Sequence, residues 1–225
     1  MDIDAAWLQP TEYLDYEHPA VARFADAALT GVDDDDPTAV AVGLFLAVRD
    51  GIRYDPYVMS SDPAAFRASA VAECAANWCV PKSVLLSATA RLHGIPARLG
   101  YADVRNHLTS EKLSESMGTD LFLWHGYSEL LLDGQWLKLS SAFNIELCQR
   151  FGVKVLEFDG TDHALMHPFD EAGNRHMEYI AERGSFDDLP LAEIFDSFHE
   201  VYPMWRALDG NGSDAASAGD TAFAG

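Results

Sequence analysis

Cations are scarce in this sequence, cysteines are few, and no stretch is long and apolar enough for a membrane. Each shortage removes a class of function. Lys and Arg number 15 against 36 Asp and Glu, for a formal net charge of −21. Phosphate backbones are held by clustered cations, and here these are sparse and scattered, so nucleic acid is not an expected partner. The same charge repels an anionic membrane surface and opposes self-association. No segment approaches the roughly 20 apolar residues that a spanning helix needs. Because Met1 to Trp7 also lack a basic stretch followed by an apolar run, a cytoplasmic protein is expected. Three cysteines, Cys74, Cys79 and Cys148, are an odd number without CxxC spacing. That argues against a disulfide framework and against a thiolate zinc site, and leaves free thiols. No internal repeat is visible, which sets aside solenoids and propellers.

What remains is ordinary globular material, 48% hydrophobic and 11% aromatic over 225 residues, enough for one substantial core. A single domain is expected over residues 1–208. Residues 209–225 are Gly, Ser, Ala, Asn, Asp and Thr221 with one Phe223; such a segment buries too little to offset its ordering entropy and is expected to be disordered.

The run Asp33-Asp34-Asp35-Asp36-Pro37 suits the positive end of a helix, and residues 38–50 carry Val40, Leu44, Ala47 and Val48 on one face. Gly51 ends that helix, and Arg53-Tyr54-Asp55-Pro56 is an extended exit. A second helix is expected over about 80–93, with Pro81 in its first turn and Gly94 as its stop. A strand follows over 95–104. Residues 127–132 and 135–139 flank Asp133-Gly134, a hairpin signal with the favoured two-residue turn. Helices followed by antiparallel strands indicate an α+β domain. Residues 187–202 form a closing amphipathic helix with Leu191, Ile194, Phe195 and Phe198 inward.

Cys79 stands immediately before the second helix, whose first amides are unpaired and whose dipole is positive there. A thiolate is stabilised in such a place, and a thiol brought down toward neutrality becomes a nucleophile. Cys74 lacks that position, and Cys148 sits in a short helical stretch. Taken alone, any one of the three is equally a small buried hydrophobe. His125 precedes the first hairpin strand, so a rigid sheet element can aim its ring at the helix start, as a general base requires. With eight histidines in the chain, a structural histidine at a sheet edge is the competing interpretation.

Four stretches, taken together, resemble the transglutaminase-like superfamily of bacterial or archaeal type, whose core is shared with papain-like cysteine proteases. Residues 48–56 resemble its helix end and exit. Cys79, Lys82 and Leu92 with His93-Gly94-Ile95-Pro96-Ala97-Arg98 resemble its nucleophile helix and following strand, and residues 125–136 its histidine hairpin. Residues 139–144 occupy the place of its third catalytic element. The resemblance spans about 38–144 and leaves 145–208 as a C-terminal extension. It implies N-terminal helices, the nucleophile helix among them, packed on an antiparallel sheet. It also implies acyl transfer on amide bonds, peptide or isopeptide, through a Cys79 thioester assisted by His125, without a cofactor or metal. The expected partner is a peptide, protein or small amide.

One departure stands out. The family usually has an aspartate where Ser140-Ser141-Ala142 stands here. Ser140 supplies a weaker hydrogen-bonding group, Asn144 is the neighbouring amide, and Asp103 or Asp162 is available from elsewhere to orient the imidazole. The missing carboxylate motivates a second hypothesis, a binding module that keeps the fold without turnover. Trp78 and Trp124 flank the pair and are candidates for shielding it or contacting substrate, although such aromatics are more often core. A third hypothesis is a metal-dependent hydrolase using His163, His167 and His176. Pro168 interrupts any helix there, and no HExxH pattern is present.

Overall fold

The computed structural model describes residues 4–210. Along the chain come α1 (Pro19–Ala28), α2 (Pro37–Gly51), β1 (Arg53–Tyr54), α3 (Ala68–Val71), β2 (Ala76–Asn77) and α4 (Cys79–Leu92). After them come β3 (Ala97–Asn106), α5 (Glu111–Met117), β4 (Leu121–Leu132), β5 (Gln135–Leu139), α6 (Ile145–Phe151), β6 (Met177–Phe186), α7 (Leu191–Val201) and α8 (Pro203–Gly210). This is the expected α+β arrangement, helices packed on an antiparallel sheet. Of the segment 209–225, Asp209 and Gly210 end α8, and the rest lies outside the described residues.

Helix α4 is the axis of the fold. All of its residues but the last are buried, because α1, α2 and α3 cover one side and β3 and β4 the other. A helix enclosed in this way needs no polar face. Its few polar side chains satisfy backbone groups instead. Arg91 donates to the carbonyls of Gln9, Ala97 and Asp187 and so ties both ends of the chain to the helix. Ser83, Ser87 and Ser128 link α4 to β4 through short hydrogen bonds. Small residues at this seam let helix and strand approach closely.

Each boundary has a local cause. The Asp36 carboxylate caps α2, accepting from the amides of Thr38 and Ala39 at 2.9 and 3.2 Å. Gly94 follows α4 at φ 73°, where a side chain is disfavoured. The β4–β5 turn has φ 48° at Asp133 and 79° at Gly134, the two positive values of the expected hairpin turn.

The sheet order is β5-β4-β3-β6, with neighbours antiparallel. Strand β6 comes from the C-terminal extension, so the sheet is not completed within residues 38–144. Its sequence lacks a clean alternation because it is an edge strand, half-exposed and charged at Glu178, Glu182 and Arg183, as edge strands tend to be. A separate two-residue parallel pair, β1 with β2, sets Tyr54 opposite Asn77, two residues before Cys79.

Candidate active site

Cys79 is the first residue of α4, with Trp78 in the capping position and no side chain capping the helix start. The backbone amides of Cys79 and Val80 at that end, and of Gly126 from β4, favour a negative charge on the sulfur. His125 is the residue before Gly126, and it lies inside β4, paired with Ala102, rather than ahead of the strand. The interface is tight: a Cβ at Gly126 would stand 2.9 Å from Ser83 Oγ, 3.0 Å from Val80 Cα and 3.3 Å from the Cys79 carbonyl oxygen. Glycine here lets the strand carrying the imidazole touch the helix tip carrying the thiol.

A bulge sets the aim of His125. Leu123 and Trp124 together oppose Asp103, and Trp124 adopts φ 58°, a left-handed conformation costly for a bulky residue. Asp103 holds it there by accepting the Trp124 N–H at 3.1 Å while forming a bidentate pair with Arg183. Asp103 is therefore committed to the bulge and does not orient the imidazole. The Trp124 ring packs on Tyr101, Phe186 and the Arg183 guanidinium. It belongs to the core, whereas Trp78 lines the cavity beside Cys79.

Of the candidates for the third residue, Ser140 is the one in contact with the ring, its Oγ 3.4 Å from His125 Nε2. That distance is long for an O–H···N bond, so the restraint is weak. Ser140 itself is fixed, buried with its N–H on the Ala164 carbonyl at 2.8 Å. With Nε2 turned to Ser140, Nδ1 is the nitrogen left for the thiol. Asn144 is committed elsewhere: its Oδ1 accepts the Tyr54 N–H at 3.0 Å and its Nδ2 donates to Glu146 at 2.6 Å. Asp162 lies exposed in the turn closed by Asp159.

The electrostatics differ from the sequence expectation. Burial pushes the Cys79 thiol up to about 11, although the three amides and the charge of Lys82 all favour the thiolate. Burial, reinforced by His176, holds His125 down at about 4. In a site this buried, desolvation outweighs the helix terminus. The proton stays on sulfur and both groups are neutral.

Lys82 carries no role in the sequence reading beyond its place in the motif, yet it braces the site. Completely buried, its Nζ donates to the carbonyls of Arg49, Ile52 and Ala142 at 3.0, 2.5 and 2.8 Å. Three acceptors match the three donors of an ammonium. The bonds join α4 to the end of α2 and to the segment bearing Ser140. A charged residue in the first turn of a largely apolar helix is the signal for it. Burial lowers its pKa to about 7, with Asp50 the foremost group opposing the shift.

Cys79 and His125 open onto one cavity, lined also by Tyr54, Met59, Trp78, Leu113, Met117 and Tyr202 among others. The other two thiols lie elsewhere. Cys74 is half-buried with its Sγ 3.3 Å from the Ala70 carbonyl, and Cys148 is buried in α6. The three histidines of the metal hypothesis do not converge. His163 Nδ1 accepts the Lys138 amide, while His176 is buried against Phe143. Among the described residues, no group of three or more His, Cys, Asp or Glu is arranged to hold a metal, and no helix is long and apolar enough to cross a membrane.

Residues 25–141, more than half of the chain, match the transglutaminase-like superfamily. The chain belongs to that superfamily, a family of thiol-dependent enzymes. Among solved structures, one described as a candidate cysteine protease from Cytophaga hutchinsonii is similar at 15% identity and a TM-score of 0.46. The alignment covers 82% of this chain and 55% of that one, so this chain spans about half of that protein's length. No curated protein matches.

Proposed function

We propose that the protein is a thiol-dependent acyl-transfer enzyme acting on amides, with Cys79 as nucleophile and His125 as general base and acid. The observation that carries this reading is the close approach of Gly126 to the backbone of Cys79 and Val80, which brings the strand to the helix tip at the residue next to the imidazole, with Cys79 and His125 lining one cavity. Because the resting pair is neutral, attack is general-base catalysed rather than made by a standing thiolate. As the sulfur–carbon bond forms, the thiol proton passes to His125, and the carbonyl electrons move onto oxygen near the amides of the α4 start. The carbon–nitrogen bond then breaks, His125 gives its proton to the departing amine, and a thioester remains. Water, or a second amine, adds to the thioester with loss of a proton to His125. Expulsion of the sulfur, reprotonated by His125, releases an acid or a new amide. Ser140 steadies the ring through Nε2. A cytoplasmic site of action suits an enzyme whose three cysteines are all free thiols.

The test is turnover of fluorogenic peptide amides and incorporation of a labelled amine by the full chain, its Cys79→Ala form and its His125→Ala form. Both substitutions should abolish both activities. Retention of either activity in Cys79→Ala would overturn the proposal. A second reading is favoured by the long Ser140 contact where the family has a carboxylate: a module that binds a peptide or small amide without turnover. It predicts unchanged affinity in Cys79→Ala and no product from any form.

A further inference from the structure

The cavity at Cys79 is narrow. Its free space is about 30 Å³, and Cys79 and His125 are only 8% and 5% exposed. Apart from His125, no side chain facing it is a Lys, Arg, Asp, Glu or His. In a chain with a net charge of −21, a wall free of carboxylates beside the reacting sulfur is a specific feature rather than a reflection of composition.

The walls differ in how firmly they are held. The β4 residues belong to the sheet, and Trp78 and Phe198 lie in an aromatic cluster with Phe66 and Trp205. Helix α5 is different. It has seven residues, follows a turn and ends at Gly118 in a left-handed conformation. Its ties are Leu113 and Met117 inserted into the cavity, Lys112 Nζ over the Tyr57 ring at 5.6 Å, and a 3.8 Å contact from the Ser116 hydroxyl to the Met204 sulfur on α8.

We propose that this cavity receives an uncharged, apolar group borne next to the scissile carbonyl, and that α5 is the wall that withdraws to admit it. The substrates are then amides whose acyl side carries a Leu-, Met- or Phe-like group. An ionised group there meets no partner and loses its water, whereas an apolar one replaces the Leu113 and Met117 contacts that hold α5 down. Pockets of this kind discriminate by about tenfold or more for a misfitting group. The inference rests on the acyl-transfer reading above, because it assigns the cavity to the substrate of that reaction.

Two measurements separate the two ideas. The first needs no catalysis: the full chain is treated with benzyl, sulfonatoethyl and trimethylammonioethyl methanethiosulfonates, and modification of Cys79 is followed by peptide mass spectrometry, with half-buried Cys74 as internal reference. The apolar reagent should be favoured at Cys79 at least tenfold over either charged one, and Met117→Glu should shift the preference toward the cation. Equal Cys79-to-Cys74 ratios for all three reagents on the unmodified sequence overturn the inference, whether or not the variant folds. The second is kcat/KM for peptide amides with Leu or Phe against Asp or Lys on the acyl side. Turnover without that preference overturns the cavity assignment and spares the chemistry. Absence of turnover alongside the reagent preference rejects the chemistry and keeps the apolar pocket.

Discussion

Replacing Gly126 with alanine should push Cys79 away from His125, and the size of the effect follows from the space available. The added methyl meets Ser83 Oγ at 2.9 Å, Val80 Cα at 3.0 Å and the Cys79 carbonyl oxygen at 3.3 Å. Ser83 can rotate, at the expense of its 2.7 Å bond to the Val80 carbonyl. The other two atoms are helix backbone and yield only if α4 moves. Ordinary contact lies near 3.5–4.0 Å, so the helix start must retreat by roughly 0.5–1 Å. Overpacking of that kind costs about 1–3 kcal/mol, or a fall in Tm of several degrees for a domain of this size. The same displacement moves the sulfur away from the strand bearing His125, and a misplacement of about 1 Å at reacting atoms lowers rate by about 100-fold. Thermal unfolding and kcat/KM on a peptide amide measure the two effects. Gly51→Ala is the control: it ends α2 with nothing within 4 Å of the added carbon and should be neutral or slightly stabilising. If Gly126→Ala behaves like Gly51→Ala in both assays, close approach at this residue is not what positions the pair.

Three further outcomes are expected. Lys82→Met leaves three buried carbonyls without a donor and should destabilise by about 3 kcal/mol, lowering Tm by about 10 °C; an unchanged midpoint would show that water or a shift of α2 replaces the ammonium. Since the folded-state pKa of His125 lies near 4 against an ordinary 6.5, the unfolded chain alone takes up this proton between those values. Stability contributed by the neutral ring is therefore complete above pH 6.5 and lost as pH falls toward 4, by about 3 kcal/mol. Urea unfolding at pH 7 and pH 4.5 should show that loss, reduced in His125→Asn. Ser140→Asp brings a carboxylate against Nε2 and should raise the acidic limb of the pH–rate profile by one to three units; a fixed limb would mean that the serine does not face the catalytic ring.

Much of the fold is legible in the residues because it rests on local chemistry. Asp36-Pro37 starts a helix, Gly94 stops one, and Asp133-Gly134 turns a hairpin, each through groups a few positions apart. The placement of Cys79 at a helix start followed from the same short-range signals, whereas His125 was expected just ahead of the strand that in fact contains it. Strand β6 was not legible, because a charged edge strand lacks alternation and its pairing with β3 is a long-range event. The bulge at Trp124 was equally hidden, since Asp103 and Arg183, which stabilise it, come from β3 and β6.

By itself the sequence determined the helix, strand and hairpin order of the central segment, the acidic composition and the presence of a thiol and an imidazole in a family arrangement, all of which depend on residue type and spacing. Tertiary structure decided the chemical state of that pair. The helix terminus favours a thiolate, but enclosure by α5, α7, α8 and the sheet removes the water that a charge requires, and burial is a property of the assembled fold rather than of any segment. It also decided which group reaches the imidazole, selecting Ser140 over Asn144 and Asp103. Each of the three carries a polar group able to bond the ring, and only the folded chain commits the latter two to Tyr54, Trp124 and Arg183.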